Sequence, residues 1–261
     1  MNRSLPTGLP LHGRIIGALM MREIMTRYGR EGLGFLWLVA EPLIFCVGVL
    51  TMWHFIKPPY EHGIKLGPFV MTGYMSLLLL RHLIGTTITA LQANSGLLYH
   101  SRIKPLHIYA TRVVLEFAGA TCAFIIVYAL LLGLKQVNLP TDYLLLYSGW
   151  LIMLGLGSGL ALTFGGLAMM SDLFERLIGF LSYALIPISG AFVMTSFLPP
   201  SAREIYLWIP FPHAVEMIRA AVFGEFVETH YNPAYALLWV LIMNLSGVLL
   251  ITVASKRIEV D

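Results

Sequence analysis

Six stretches of this chain stay apolar for long enough to cross the hydrocarbon of a membrane, which takes ~20 residues of helix. They fall at about 33–56, 66–91, 113–134, 143–170, 177–198 and 233–254. Each is continuous rather than alternating, so the pattern predicts helices and not the ~10-residue strands of a barrel. Together they hold more than half of the chain and leave no room for a soluble domain. The expected fold is an all-α integral membrane protein, a single domain over residues 1–261.

Two further segments have a pattern of their own. In Arg14–Tyr28, Ile16, Met20 and Ile24 recur at i+4 beside Ile15 and Leu19, with Arg14, Arg22 and Arg27 off that stripe. This predicts an amphipathic helix lying in the membrane interface, its cations near anionic headgroups. It serves either as an anchor or as a gate. Between the last two spans, 199–232 carries Pro199, Pro200, Pro210 and Pro212 and then an apolar run with Glu216, Arg219 and Glu225. Proline disfavours helix at itself and at the residue before it. Two short helices broken at Ile209-Pro210 are therefore expected. The second is too short to span, and is either re-entrant or laid in the outer interface.

Composition agrees. Charged residues make up 12% and hydrophobic ones 57%, with a net charge of +3, and the mean hydropathy is +0.77. A soluble chain carries ~25% charged residues. A soluble enzyme, a disordered chain and a nucleic-acid binder are excluded. Cys46 and Cys122 both lie in apolar runs, which predicts packing residues and no disulfide framework. The first 30 residues contain Arg3, Arg14, Arg22, Arg27 and Arg30 and lack a signal-peptide apolar core. The first span is expected to direct insertion.

Lys and Arg set the orientation. With the N-terminus inside, Arg3, Arg14, Arg22, Arg27, Arg30, Arg102, Lys104, Arg112, Arg176, Lys256 and Arg257 are cytoplasmic. Lys57, Lys65, Lys135, Arg203 and Arg219 are outside, and Arg81 lies within a span. The excess of basic residues predicts cytoplasmic termini.

Motifs for catalysis are missing from the sequence. There is no GxxxxGK[ST] phosphate loop, no HExxH and no Gly-x-Ser-x-Gly. The eight histidines are scattered. Charges inside hydrocarbon are costly, ~2.5–3.5 kcal/mol each near the centre, so Glu41, Arg81 and Glu116 need reasons. Glu41 either snorkels or bonds backbone freed by Pro42. Arg81, about 15 residues into the second span, either faces a pathway or pairs with an acid such as Glu116. In the fourth span, Gly155/Gly159 and Gly157/Ala161/Gly165 repeat at i+4, a seam for close helix contact.

Several stretches carry a family likeness. Arg22-Glu23-Ile24-Met25-Thr26-Arg27-Tyr28-Gly29, Leu33-Gly34-Phe35-Leu36-Trp37 and Glu41-Pro42 resemble the N-terminal signature of ABC-2 type exporters. The nearest likeness is to the permease of group 2 capsular polysaccharide export. Ala93-Asn94-Ser95-Gly96-Leu97-Leu98-Tyr99, Ile103-Lys104-Pro105-Leu106 and Arg112 to Glu116 are similar to that family's first cytoplasmic loop. So is Pro210-Phe211-Pro212-His213-Ala214-Val215-Glu216 with Arg219 to its late segment.

The resemblance implies a half-transporter in a bacterial inner membrane. Two copies would pair, and two separate ATPase subunits would bind ATP and Mg, leaving this chain non-catalytic and without a cofactor. The cargo it implies is a lipid-linked acidic polysaccharide, handed to a periplasmic co-polymerase that acts as adaptor. Related branches move O-antigen or teichoic-acid polymers. A channel or secondary transporter would need no ATPase, and would show inverted repeats or broken midplane helices. On the export reading, Arg22, Arg27, Arg30, Trp37 and Arg81 are candidates for the substrate pathway. Aromatic faces such as Trp53, Tyr74, Tyr147, Trp150 and Tyr183 are candidates for contact with sugar. Ser95, Gly96, Leu97, Leu98, Tyr99 and Lys104 are expected to dock on the ATPase, with Asp172, Glu175 and Arg176 as a second contact.

Overall fold

The computed structural model describes residues 9–28, 40, 43–49, 51–52, 55, 60–61, 64–94, 103–224 and 227–258. Its helices are α1 (Leu9–Tyr28), α2 (Leu66–Ala93), α3 (Pro105–Gly133), α4 (Tyr143–Met170), α5 (Asp172–Ile188), α6 (Pro200–Tyr206), α7 (Pro210–Phe223) and α8 (Pro233–Ile258). Four of the described helices (α2, α3, α4 and α8) are long and apolar enough to cross a membrane. Residues 43–49 of the predicted first span are helical, and the rest of that span lies largely outside the described residues. A two-residue hairpin pairs Tyr60 with Lys65 and Glu61 with Ile64 ahead of α2.

The second and fourth predicted spans coincide with helices. The third helix begins earlier than expected, at Pro105, because proline suits the first turn, where an N–H has no partner to lose. The fifth predicted span, 177–198, is corrected. Its helix starts at Asp172 and stops at Ile188, with Pro187 in its last turn, and Gly190 follows at φ +84°. Only the 3-10 turn Thr195–Phe197 continues it before α6.

Helix α4 is central and touches α2, α7 and α8. Its small residues serve two faces rather than one seam. A Cβ on Gly159 would lie 2.6 Å from the Met243 Cβ of α8, and one on Gly157 would lie 2.7 Å from a Leu83 methyl of α2. Backbones meet there, and polar groups finish the contact. Asn244 of α8 donates to the Gly155 carbonyl at 2.8 Å and accepts from Ser158 at 3.1 Å. Trp150 donates to Thr121 of α3 at 3.0 Å.

The two short helices predicted on either side of Ile209-Pro210 are α6 and α7. Helix α7 packs inside the bundle: nearly every residue from Pro210 to Val222 is buried. Thr141, at the head of α4, donates its N–H to the Ala221 carbonyl at 2.9 Å.

Candidate functional site

Three polar clusters interrupt the apolar body. The first fastens α1. Arg22 donates to Asn94 Oδ1 at 2.6 Å, Glu23 pairs with Arg112 at 2.7 Å, and His12 Nδ1 lies 2.7 Å from His107 Nε2. The Lys104 N–H donates to His107 Nδ1 at 3.0 Å, so Nε2 carries the hydrogen and donates to His12. Leu19 packs on Ala90, Ile108, Tyr109 and Ile251. The face of α1 turned to the protein is thus 12, 19, 22 and 23. Of the predicted apolar stripe, Ile15, Ile16, Leu19 and Met20 are half-buried and Ile24 is exposed. Buried Glu23 and Arg112 win the inner face because each neutralises the other.

The second cluster is a groove of about 280 Å³ between α2, α5 and residues 43–49. Its lining includes Phe45, Tyr74, Arg81, His82, Gly179 and Ser182. Arg81 lies just past the midpoint of α2, half-buried, with its guanidinium 5.1 Å from the centroid of Tyr183. The expected alternative partner for Arg81 is corrected: Glu116 pairs with His82, at 3.4 Å. Among the described residues, no carboxylate lies within ion-pair distance of Arg81.

The third cluster lies at the other end of the bundle and was not anticipated. Arg219 is fully buried, although the charge pattern counted it as a loop cation. Its Nη1 donates to the carbonyls of Gly190 at 3.0 Å and Val193 at 2.9 Å, and Nη2 to that of Ala191 at 2.7 Å. Glu216 pairs with it at 3.4 Å and accepts from the Thr195 hydroxyl at 2.7 Å. The Phe69 ring covers the guanidinium at 4.5 Å. These bonds satisfy the carbonyls freed where α5 stops. The i,i+3 spacing of Glu216 and Arg219 in an apolar run was the available signal.

Nearby, His213 Nδ1 accepts from the Asn232 N–H at 3.0 Å, so its Nε2–H donates to the Leu207 carbonyl at 2.8 Å. Burial lowers the pKa of His213 from its ordinary value, against smaller opposing effects of Leu207 and Glu216.

The remaining predicted site residues are distributed as follows. Arg22 is half-buried on Asn94, and so is engaged rather than free at a cytoplasmic mouth. Arg27 lies in the last turn of α1, its side chain outside the described residues, as are Arg30, Trp37 and Ser95 to Tyr99. Lys104 is exposed at the head of α3. Asp172, Glu175 and Arg176 sit in the first turns of α5, Asp172 and Arg176 exposed and Glu175 half-buried. Of the aromatics, Tyr74 lines the groove and Tyr183 carries Arg81, Tyr147 is exposed, and Trp150 is buried. Trp53 lies outside the described residues. Cys46 is buried and Cys122 exposed.

The described residues form a bundle with four membrane-length helices, with an exposed short helix (α6) and a buried one (α7) before the last of them. Residues 14–223 match the family described as ABC-2 type transporter, and the chain belongs to that family. It is 37% identical to the capsule polysaccharide export inner-membrane protein CtrC of Neisseria meningitidis serogroup B, over 96% of this chain and 95% of that one. It is 38% identical to the capsule polysaccharide export inner-membrane protein BexB of Haemophilus influenzae, with the same coverage. Likeness to the polysialic acid transport protein KpsM of Escherichia coli is 25% over 94% of this chain and 95% of that one.

Proposed function

We propose that this chain is the membrane permease of an ATP-driven exporter that carries lipid-linked capsular polysaccharide across a bacterial inner membrane. The observation that carries the reading is its likeness, end to end, to capsule export inner-membrane proteins: 96% of this chain aligns with 95% of CtrC.

On this reading the chain spans the membrane six times with both termini cytoplasmic, and two copies form the pathway. ATP and Mg reside on two partner ATPase subunits, since the sequence has no phosphate-cradling loop. The segment from Ser95 to Lys104 docks on the ATPase, with Asp172, Glu175 and Arg176 beside it. A periplasmic co-polymerase receives the polymer. Arg22, Arg27, Arg30 and Trp37 lie where the lipid-linked end would arrive, although Arg22 also serves to hold α1. Arg81 stands along the route. Support for that position comes from chemistry: a half-buried cation in an apolar helix, with no acid beside it among the described residues, reads as functional.

Complementation tests the reading. In a strain whose own capsule permease gene is deleted but whose ATPase and adaptor remain, the chain should restore surface polysaccharide. Polymer retained inside cells that hold normal amounts of the protein in the inner membrane would overturn it. Restored display of O-antigen instead of capsule would move the assignment to that branch.

A further inference from the structure

The groove between α2 and α5 has a chemistry different from the rest of the bundle. Its floor is apolar, with Leu78 and Ile178. Its walls bring together a guanidinium (Arg81), tyrosine rings (Tyr74 and, behind the guanidinium, Tyr183), a hydroxyl (Ser182) and an imidazole (His82). A guanidinium has five N–H donors in a planar fork that matches a carboxylate. The guanidinium sits over the Tyr183 ring at 5.1 Å, and no carboxylate among the described residues lies within ion-pair distance of it. Glu116 is committed to His82, so it does not compete.

Size narrows the occupant. At about 280 Å³ the space falls at the low end of small-molecule pockets, ~300–1,000 Å³. It suits one ring with one substituent. A C–H-bearing ring over Leu78 and Ile178 and beside Tyr74, hydroxyls toward Ser182 and a planar anion toward Arg81 describe a carboxylated sugar. We infer that this groove is a subsite for a single carboxylated sugar unit, with Arg81 clamping the carboxylate and Tyr74 and Ser182 contacting the ring. The inference deepens the export reading, which supplies the reason for a sugar polymer to be there. Its test does not depend on transport.

Arg81 is half-buried at a groove wall, so polar replacements should fold. The probe is a galacturonate tetramer, with its carboxyl-reduced galactose counterpart as the uncharged twin. Both are titrated into the purified full chain in phosphatidylcholine nanodiscs and followed by calorimetry. The acidic tetramer should bind saturably, and the reduced one at least about tenfold more weakly, as loss of a charge-assisted hydrogen-bond pair implies. Arg81→Gln should remove that preference, and Arg81→Lys should keep part of it. Ser182→Ala should weaken both tetramers alike. Equal binding of the two tetramers, no saturable binding to the unaltered chain, or an Arg81→Gln variant that behaves like it would each overturn the inference. Loss of tetramer binding to the unaltered chain when phosphatidylglycerol is added would also overturn it, assigning Arg81 to a lipid phosphate. Failure of the unaltered chain to restore capsule would instead strike the export reading, and leaves the binding result standing.

Discussion

Glu23 of α1 and Arg112 of α3 face each other at 2.7 Å, both almost out of solvent's reach. One residue earlier, Arg22 reaches Asn94 at the end of α2. Two neighbouring side chains thus hold α1 to both sides of the segment 95–102. Removing one member of a buried pair takes the opposite charge from the other, a loss that reaches about 3–5 kcal/mol. Arg112→Ala and Glu23→Ala should each sharply reduce the amount of folded protein. The double variant should recover part of it, read by detergent-solubilised yield and thermal melting. Equal losses for the double and single variants would contradict the pairing.

Gly73 of α2 lies against the backbone where α5 ends. A Cβ there would come within 1.9 Å of the Ala191 carbonyl oxygen. Backbone cannot give as a flexible side chain does, so Gly73→Ala should destabilise by about 1–3 kcal/mol, the cost of overpacking. Gly85→Ala, on the same helix with nothing within 4 Å of the added methyl, should fold normally. Melting temperatures of the two variants check this.

His213 joins α7 to the carbonyl of Leu207 and to the N–H of Asn232 in its neutral form. Its pKa is lowered in the fold, so as pH falls below about 6.5 the unfolded chain takes up the proton first, and the fold loses stability. Above that value both states are neutral and the effect vanishes. Melting temperature should therefore decline on acidification from neutral pH, and less steeply in His213→Gln. Identical slopes for the two proteins would refute the assignment.

Docking of the first cytoplasmic loop on the ATPase is tested by Leu98→Asp combined with Tyr99→Asp. Insertion and abundance should be unchanged, while recovery of the ATPase with the tagged permease and surface polysaccharide should both fall to background. Full recovery of the ATPase would remove the loop from the interface.

Much of this architecture is legible in the sequence, for identifiable reasons. Spans two and four are uniform apolar runs whose ends are marked by charge or by Asp142, and their helices begin and end within a few residues of where hydropathy places them. The end of the fifth span is not legible, because its residues stay apolar past Ile188. What stops the helix is Pro187, Gly190 and a guanidinium arriving from Arg219, 29 positions ahead of Gly190. Counting Arg219 as an outer-loop charge follows from the same limit: hydropathy sees a charge in a polar-flanked segment and not the carbonyls that surround it. For α1 the pattern marks a helix, and residues 9–28 form one. What hydrophobicity does not mark is that Glu23 turns inward onto Arg112, since no scale of single-residue hydrophobicity rewards a pair. In the groove, the sequence isolates Arg81 but not the alliance of His82 with Glu116, which takes the expected acid away from Arg81.

The bare backbone contacts of α4 have a mechanical side. Where Gly159 meets the Met243 Cβ and the Asn244 backbone nitrogen, no side chain can swing to absorb a shift, so the spacing of α4 and α8 is set by their backbones. Helix α5 is rigged differently: of its residues only Ile178 and Leu185 are buried, and its far end hangs from the carbonyls held by Arg219. Added bulk at the α4 contacts therefore has to push a neighbouring helix away, whereas most positions of α5 have room for it.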